Sequence, residues 1–314
     1  MKRVVSVSLG SSKRNHAVEI EVLGQKVLME RIGTDGSLAK AASLVAELDG
    51  RVDCFGLGGT DLYIYAGGKR YLIRDAAKIA SNAKKTPIVD GTGLKNTLER
   101  KTVMYLQSVH GLKFKEKKVL MVCAMDRFGM AEEFEKAGAV MTYGDLMFGL
   151  GLQIPLHSLN ALDRVARVIA PVVVKLPFKL LYPTGEKQDK LNKNTKYMKY
   201  YNEADVIAGD FHYIKKHMPL SLEGKIIITN TVTQEDISEL KNRGAILLVT
   251  TTPHLNGRSF GTNVLEAVIV ALSGKHVSKL TMDDYLTILD KLDFNPYLEW
   301  LQAAPKEAKE VIHG

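Results

Sequence analysis

The sequence predicts an α/β protein whose second half is a doubly wound parallel sheet, and three observations carry that expectation. The first is the stretch 118–145. A continuous apolar run over residues 119–124 reads as a strand buried on both faces. A turn and a short helix over 129–136 follow, capped by Gly138. A second strand over 139–143 then leads to an acid, Asp145. Strand, turn, helix, strand and an acid roughly twenty residues on is the layout of a dinucleotide-binding βαβ unit. The second observation is that three later apolar runs, 204–209, 225–230 and 245–251, alternate with helical segments. The third is that these runs end in polar residues: Asp210, then Asn230 and Thr231, then Thr250 to Thr252. Carboxyl ends of strands form the ligand crevice of open α/β sheets. The expected architecture is an N-terminal mixed α/β domain followed by a Rossmann-like domain. The expected division is 1–112, 113–280, and helices over 281–314 that pack on both.

The chain has 314 residues, long for a single core, with the 46% hydrophobic and 25% charged content of an ordinary globular protein. No apolar stretch approaches the ~20 residues that cross a bilayer. The start reads as a strand rather than a secretory leader, so a cytoplasmic protein is expected. Cys54 and Cys123 both lie in apolar runs and suit buried free thiols. Neither has the spacing or histidine neighbours of a metal ligand, and no metal is expected. The net charge of +8 is uneven. Over 175–199, seven lysines face Glu186 and Asp189, a surplus of five. Lys190, Lys193, Lys196 and Lys199 recur every three residues, with Tyr197, Tyr200 and Tyr201 among them. A basic face for an anionic ligand and a solvated surface helix are both readings of that pattern. Without a nucleic-acid module beside it, the charge leans toward small acidic ligands.

Residues 4–9, 17–23 and 26–32 read as strands, the last two joined by a turn at Gly24-Gln25. Thr34-Asp-Gly-Ser37 introduces a helix over 38–48, and 52–57 is a further buried strand. Two short strands flank Gly67-Gly68-Lys69, and a helix over 75–83 follows. In 87–97 a short strand runs into Asp90, Gly91 and Gly93, and a helix starts at once. Backbone N–H groups at that start, with Lys95 beside them, could hold an anion; a capped glycine turn is the plainer alternative. Farther on, 158–168 is expected to be helical, 171–175 a strand, and 176–184 extended because of Pro177 and Pro183. His254 and Arg258 lie in a loop after the last strand, where they could meet an anionic ligand or move a proton. Helices are expected over 264–272, from Thr281, and again from Pro296, with a frayed end after Pro305.

The dinucleotide layout is incomplete at its phosphate-binding turn. Of the three glycines of G-x-G-x-x-G only the last is present, as Gly129; Ala124 and Asp126 stand at the other two. A carboxylate at the second position repels a pyrophosphate unless it turns away or pairs with Arg127 or a metal. Candidate cofactor residues are Ala124, Asp126, Arg127 and Gly129 at the turn, with Asn230, Thr231 and Thr250 at the later strand ends. Asp145 is the expected ribose ligand, which would favour NAD over NADP.

Three stretches carry a resemblance: Val5-Ser-Val-Ser-Leu-Gly-Ser-Ser-Lys13, Pro87-Ile-Val-Asp-Gly-Thr-Gly-Leu-Lys-Asn-Thr-Leu-Glu-Arg100 and Arg258-Ser-Phe-Gly-Thr-Asn263. With them the chain resembles the bacterial quinate/shikimate 5-dehydrogenase family over most of its length. That resemblance implies a substrate domain ahead of a cofactor domain, and serines after the first strand, here Ser11 and Ser12, that hold the substrate carboxylate. It also implies a lysine–aspartate pair for the chemistry. The Asn-Val-Thr-Ile-Pro stretch that precedes that lysine in the family does not occur here, and Gly59-Thr60-Asp61 echoes its Asn-Thr-Asp element. The expected activity is NAD(P)-dependent oxidation or reduction of a small anionic hydroxy- or keto-acid. Lys95 is the expected acid/base group, and Asp61 or Asp90 its partner. A binding protein that holds a nucleotide or phosphorylated metabolite without chemistry is the alternative, with phosphoryl transfer behind both.

Overall fold

The computed structural model describes residues 1–66, 69–177, 195–230, 232–252, 254–255, 258–259, 261–292 and 294–302. In chain order β1 (Lys2–Ser8), β2 (His16–Val22) and β3 (Gln25–Gly33) come first, then α1 (Leu38–Leu48) and β4 (Cys54–Gly58). The hairpin β5 (Tyr63–Ala66) and β6 (Lys69–Leu72), then α2 (Arg74–Ala80), β7 (Ile88–Val89) and α3 (Thr92–Ser108) follow. Next are β8 (Lys118–Met121), α4 (Phe128–Lys136), β9 (Val140–Tyr143), α5 (Leu159–Val173) and α6 (Met198–Glu203). Then β10 (Val206–Ala208), α7 (Phe211–His217), β11 (Ile226–Thr229), α8 (Gln234–Asn242) and β12 (Leu247–Thr250) alternate. The two-residue strands β13 (His254–Leu255) and β14 (Arg258–Ser259) lead to α9 (Thr262–Ser273), α10 (Met282–Lys291) and β15 (Tyr297–Trp300).

These elements form two compact units interleaved in sequence. The first is Met1–Thr97, Ala166–Gln188 and Phe260–Phe294; the second is Leu98–Val165, Asp189–Ser259 and Asn295–Gly314. The expected division at 112 and 280 is therefore corrected. The chain passes between units inside α3 and again inside α5, and α9 and α10 belong with the N-terminal strands.

The first unit is built on a mixed sheet of order β2-β3-β1-β4-β7, in which only β2 runs antiparallel to its neighbour. Period-two alternation gives each strand two working faces. Val5, Val7, Leu9, Phe55 and Leu57 pack with Ala41 and Val45 of α1 and Ile79 of α2. The opposite face carries small or polar residues, Ser6, Gly56 and Gly58, and α9 lies against it. Asn263 at the start of α9 donates from Nδ2 to Ser6 Oγ at 2.7 Å. A Cβ at Gly56 would stand 2.7 Å from the Asn263 carbonyl oxygen, and one at Gly91 2.7 Å from the Asn263 nitrogen. The glycines let a helix that is apolar almost all round seat directly on strand backbone, as a buried helix must.

The second unit has a sheet of order β9-β8-β10-β11-β12-β15, parallel except for β15. Its strands are buried on both faces. Leu120, Ile207, Ile227 and Leu248 pack with Tyr201, Phe211, Ile214, Ile237 and Leu240 from α6, α7 and α8. Their alternates Val119, Met121, Val206, Ile228 and Val249 pack with Val103, Leu106, Met130, Phe134 and Leu162 from α3, α4 and α5. This is a doubly wound, Rossmann-like sheet. Its strand order reverses between β8 and β10, the point at which such sheets leave a crevice. Among the described residues no helix is long and apolar enough to cross a membrane.

Two expected elements are corrected. Residues 171–173 are the last turn of α5, not a strand. Leu162, Ala166, Ala170 and Val174 recur every fourth residue and are all buried, so helical period outweighs β-branched content. The segment after Pro296 is the edge strand β15, pairing antiparallel with β12 from Leu247↔Trp300 to Thr250↔Tyr297. Its aromatic content suits a pleated edge. The extended stretch expected over 178–184 and the frayed end after Pro305 lie outside the described residues.

Gly91 has φ +94° as well as the close approach to α9. Gly91→Ala is expected to destabilise the protein by roughly 2–4 kcal/mol, combining backbone strain and overpacking. Urea denaturation should show a lower midpoint at unchanged slope.

Candidate functional site

The carboxyl ends of β1, β3, β4 and β7 gather the loops of the first unit. Lys95 stands in the first turn of α3 and Asp61 in the loop after β4. Lys95 Nζ lies 3.3 Å from Asp61 Oδ1, with 11% and 21% of the two side chains exposed. The expected lysine–aspartate pair is thus formed with Asp61. Asp90 serves backbone instead: Oδ2 accepts from Leu62 N at 2.5 Å and Oδ1 from Thr92 N at 3.0 Å. Asp90 thereby ties the residue after Asp61 to the helix that carries Lys95.

The anion position expected at the start of α3 is filled by the chain itself. Glu266 of α9 is buried and accepts from Gly91 N at 2.7 Å through Oε2 and from Tyr285 Oη at 2.7 Å through Oε1. Burial, reinforced by Asp90, pushes its carboxyl up to about 7 against the pull of its hydrogen bonds. Sequence reading did not single out Glu266. An acid inside an otherwise apolar helix, three residues after Asn263, was the available signal.

Ser11 and Ser12 are likewise engaged locally. Ser11 Oγ accepts from Lys13 N at 3.2 Å, and Ser12 N donates to Asp35 Oδ1 at 2.7 Å. Arg31, another residue the sequence reading passed over, donates to Ser11 O at 3.1 Å and Ser8 Oγ at 3.0 Å. Both serines sit at the end of β1, as the resemblance implies, but as parts of a capped loop.

In the second unit the turn after β8 meets Asp145. Asp145 Oδ1 accepts from Ala124 N at 2.9 Å and from Met125 N at 2.8 Å. Its Oδ2 is sealed from solvent with no hydrogen-bond partner among the described residues. Burial pushes the carboxyl up to about 7, with Asp126 adding to the rise. Asp145, the expected ribose ligand, spends one oxygen on the backbone of the turn after β8. Asp126, 40% exposed, stands 3.9 Å from Arg127 Nε. Arg127 points inward, paired with buried Glu99 and 3.3 Å from Asp210 Oδ2. Burial opposes its charge, yet Glu99 above all, with Asp126, Cys123 and Asp210, holds its pKa well above the ordinary value. Asn230 donates to Asp210 Oδ2 at 2.8 Å, and Thr250 Oγ1 to Thr252 O at 2.9 Å. Gly129 is buried in α4. Thr231 and the side chains of His254 and Arg258 lie outside the described residues.

This turn opposes the pyrophosphate of a dinucleotide. Two N–H groups that follow the strand already hold a carboxylate, a second carboxylate stands at the middle glycine position, and the nearby guanidinium is neutralised by Glu99 and Asp210. The lysine-rich stretch lies largely outside the described residues. Tyr197 and Tyr201 are core residues rather than surface aromatics. Cys54 and Cys123 are free thiols, with burial pushing both up. Among the described residues no group of His, Cys, Asp and Glu could hold a metal ion.

Arg127→Met is expected to destabilise the second unit by about 3–5 kcal/mol, because it removes the guanidinium paired with buried Glu99. Asp145→Asn should do the opposite at alkaline pH. With the folded pKa raised to about 7, the stability Asp145 contributes is complete below its unfolded pKa and lost as pH rises through 7. The asparagine should therefore gain roughly 1–3 kcal/mol at pH 8, net of its unpaired amide, and nothing near pH 4. Denaturation midpoints at the two pH values check both.

Comparison with known proteins adds little on chemistry. No curated protein matches the chain. Similar solved structures include a galactofuranose binding protein, at 14% identity and TM-score 0.39 over 99% of this chain and 97% of that one. Another is the hetero-hexameric glutamate dehydrogenase from Thermus thermophilus, at 13% identity and TM-score 0.42 over 93% and 74%. A third is an ABC transporter solute binding protein from Agrobacterium vitis bound with alpha-D-tagatopyranose, at 8% identity and TM-score 0.40 over 100% of both. A family model described as domain of unknown function DUF8753 matches residues 3–90. The model described as domain of unknown function DUF8754 matches residues 93–301, about two thirds of the chain, and the protein belongs to that family.

Proposed function

We propose that this chain binds a small anionic metabolite, a hydroxy-acid or a phosphorylated compound, at the carboxyl end of the first sheet, without a bound dinucleotide. One observation carries the reading: Lys95 Nζ stands 3.3 Å from Asp61 Oδ1 at the end of the first sheet, while Asp145 and Asp126 set two carboxylates against the turn after β8. The Lys95–Asp61 pair, with 11% and 21% of its side chains exposed, can meet a ligand from both partners. Lys95 offers a charged donor to a carboxylate or phosphate, and Asp61 an acceptor to a neighbouring hydroxyl.

The second reading is a NAD(P)-dependent oxidoreductase of the quinate/shikimate dehydrogenase kind, and the Lys95–Asp61 pair favours it. In that reading Lys95 Nζ takes the proton of the substrate hydroxyl, and Asp61 holds the ammonium in place.

The test is calorimetric titration of the protein with NAD, NADP, quinate, shikimate and a panel of sugar phosphates, alongside a turnover assay. The expected result is no dinucleotide binding, saturable binding of at least one anionic metabolite, and a weakening of roughly 1–3 kcal/mol in Lys95→Met. Saturable NAD or NADP binding with turnover that Lys95→Met abolishes would establish the oxidoreductase instead. Metabolite binding untouched by Lys95→Met would remove Lys95 from the site.

A further inference from the structure

We propose that Glu266 is the positioning residue for Lys95: its carboxyl holds the turn from which Lys95 projects, and its proton decides the charge behind that lysine. The inference rests on the reading of Lys95–Asp61 as the ligand-facing pair.

The pair is held by a second pair of acids behind it. Asp90 grips Leu62 N, the backbone next to Asp61. Glu266 grips Gly91 N and also accepts from the backbone of Leu94, next to Lys95. Lys95 N in turn donates to Gly91 O at 2.7 Å, closing the helical turn on the residue that Glu266 holds. Gly93 leaves the space for this arrangement, since a Cβ there would collide with Glu266 Oε1 and Tyr285 Oη. Moving the Glu266 carboxyl therefore moves the backbone on both sides of Gly93, and Lys95 with it.

The groups that face Glu266 come from three elements: Asp90 from the turn before α3, Tyr285 from α10 and Cys54 from β4. Asp90 opposes ionisation of Glu266, and the Tyr285 hydroxyl supports it. Below about pH 7 Glu266 is neutral and can itself donate; above it, a buried negative charge stands behind the turn. That charge favours the ammonium form of Lys95, so loss of the Glu266 proton raises the lysine's hold on its own proton.

The experiment is an NMR pH titration of the ligand-free protein. Glycine and leucine carry 15N, lysine carries 13C at Cε, and Lys95→Arg assigns the lysine signal. An Asp145→Asn background removes a second acid that titrates near pH 7. The Gly91 and Leu94 amides and the Lys95 Cε signal are expected to share a midpoint near pH 7. Glu266→Gln, which keeps the acceptor for Gly91 N, should flatten all three, while Tyr285→Phe should move the shared midpoint to higher pH. A Lys95 inflection that survives Glu266→Gln, or a flat Lys95 signal while the amides titrate, overturns the proposal. So does a midpoint that Tyr285→Phe leaves unmoved, which decides the matter even if Glu266→Gln does not fold. No ligand enters the measurement, so failure here is distinct from failure to find a metabolite.

Discussion

The structure depends on how it satisfies the backbone N–H groups left orphaned where parallel strands turn into helices. Every such turn exposes donors that water, a ligand or the chain must meet. At several of these turns the chain meets donors with its own carboxylates. Glu266 takes Gly91 N before α3, Asp145 takes Ala124 N and Met125 N before α4, and Asp210 takes His212 N at α7. Asp236 and Thr233 form a reciprocal box at α8. A chain with net charge +8 thus places acids, rather than bare N–H groups, at the strand ends where an anion was expected. Total charge says little about the sign of any one loop.

The same device has opposite electrostatic consequences depending on what surrounds it. Asp49 gathers the N–H groups of Lys84, Lys85 and Thr86 at the surface, and its carboxyl is held down at about 2. Its contribution is present above its unfolded pKa and lost as pH falls through 2. Glu266 and Asp145 have comparable hydrogen bonds, but desolvation dominates and both rise to about 7. Their contribution is complete in mild acid and lost as pH climbs through neutrality. Glu266 and Asp145, one in each unit, thus stand near their midpoint in the physiological range, each bonded to the backbone of a β-to-α turn.

Much of this was legible in the sequence. Period-two and 3.6-residue patterns place β1 to β4, α1, α4, α8 and β9 to β12 within about two residues, whereas β8 ends earlier and α5 later than expected, and α7 was not foreseen. Two failures have a common cause, in that local composition was read where longer periodicity or pairing decides. The β-branched run at 172–174 follows an every-fourth-residue apolar series and finishes a helix. Tyr297 to Trp300 finds a strand partner in β12 that no local rule reveals. The interleaving of the units was hidden for a related reason: α9 is apolar on every side, so nothing in its own sequence says which sheet it covers. Of the glycines that receive it, Gly58 and Gly91 read as turn signals and Gly56 as part of a strand until Asn263 is seen against them. At the site, residue identity suggested the Lys95–Asp61 pair. It could not show that Asp90, Ser11 and Asp145 would turn toward backbone, because side-chain direction is fixed by donors far away in sequence.

Saturated backbone donors also bear on where recognition can reside. In many α/β proteins a bare helix start supplies much of the affinity for an anion, and side chains then tune specificity. Where the helix starts are already occupied, a ligand gains little from backbone and must be met by side chains. In the first unit those are Lys95 and Asp61, an acid–base pair with both partners partly open to solvent. Such a pair recognises a ligand that brings both an anionic group and a hydroxyl, because each partner loses the other as it engages. A simple anion would draw Lys95 away from Asp61, at a cost comparable to the hydrogen bond gained. The pairing itself therefore selects for bifunctional ligands, and hydroxy-acids and sugar phosphates are of that kind.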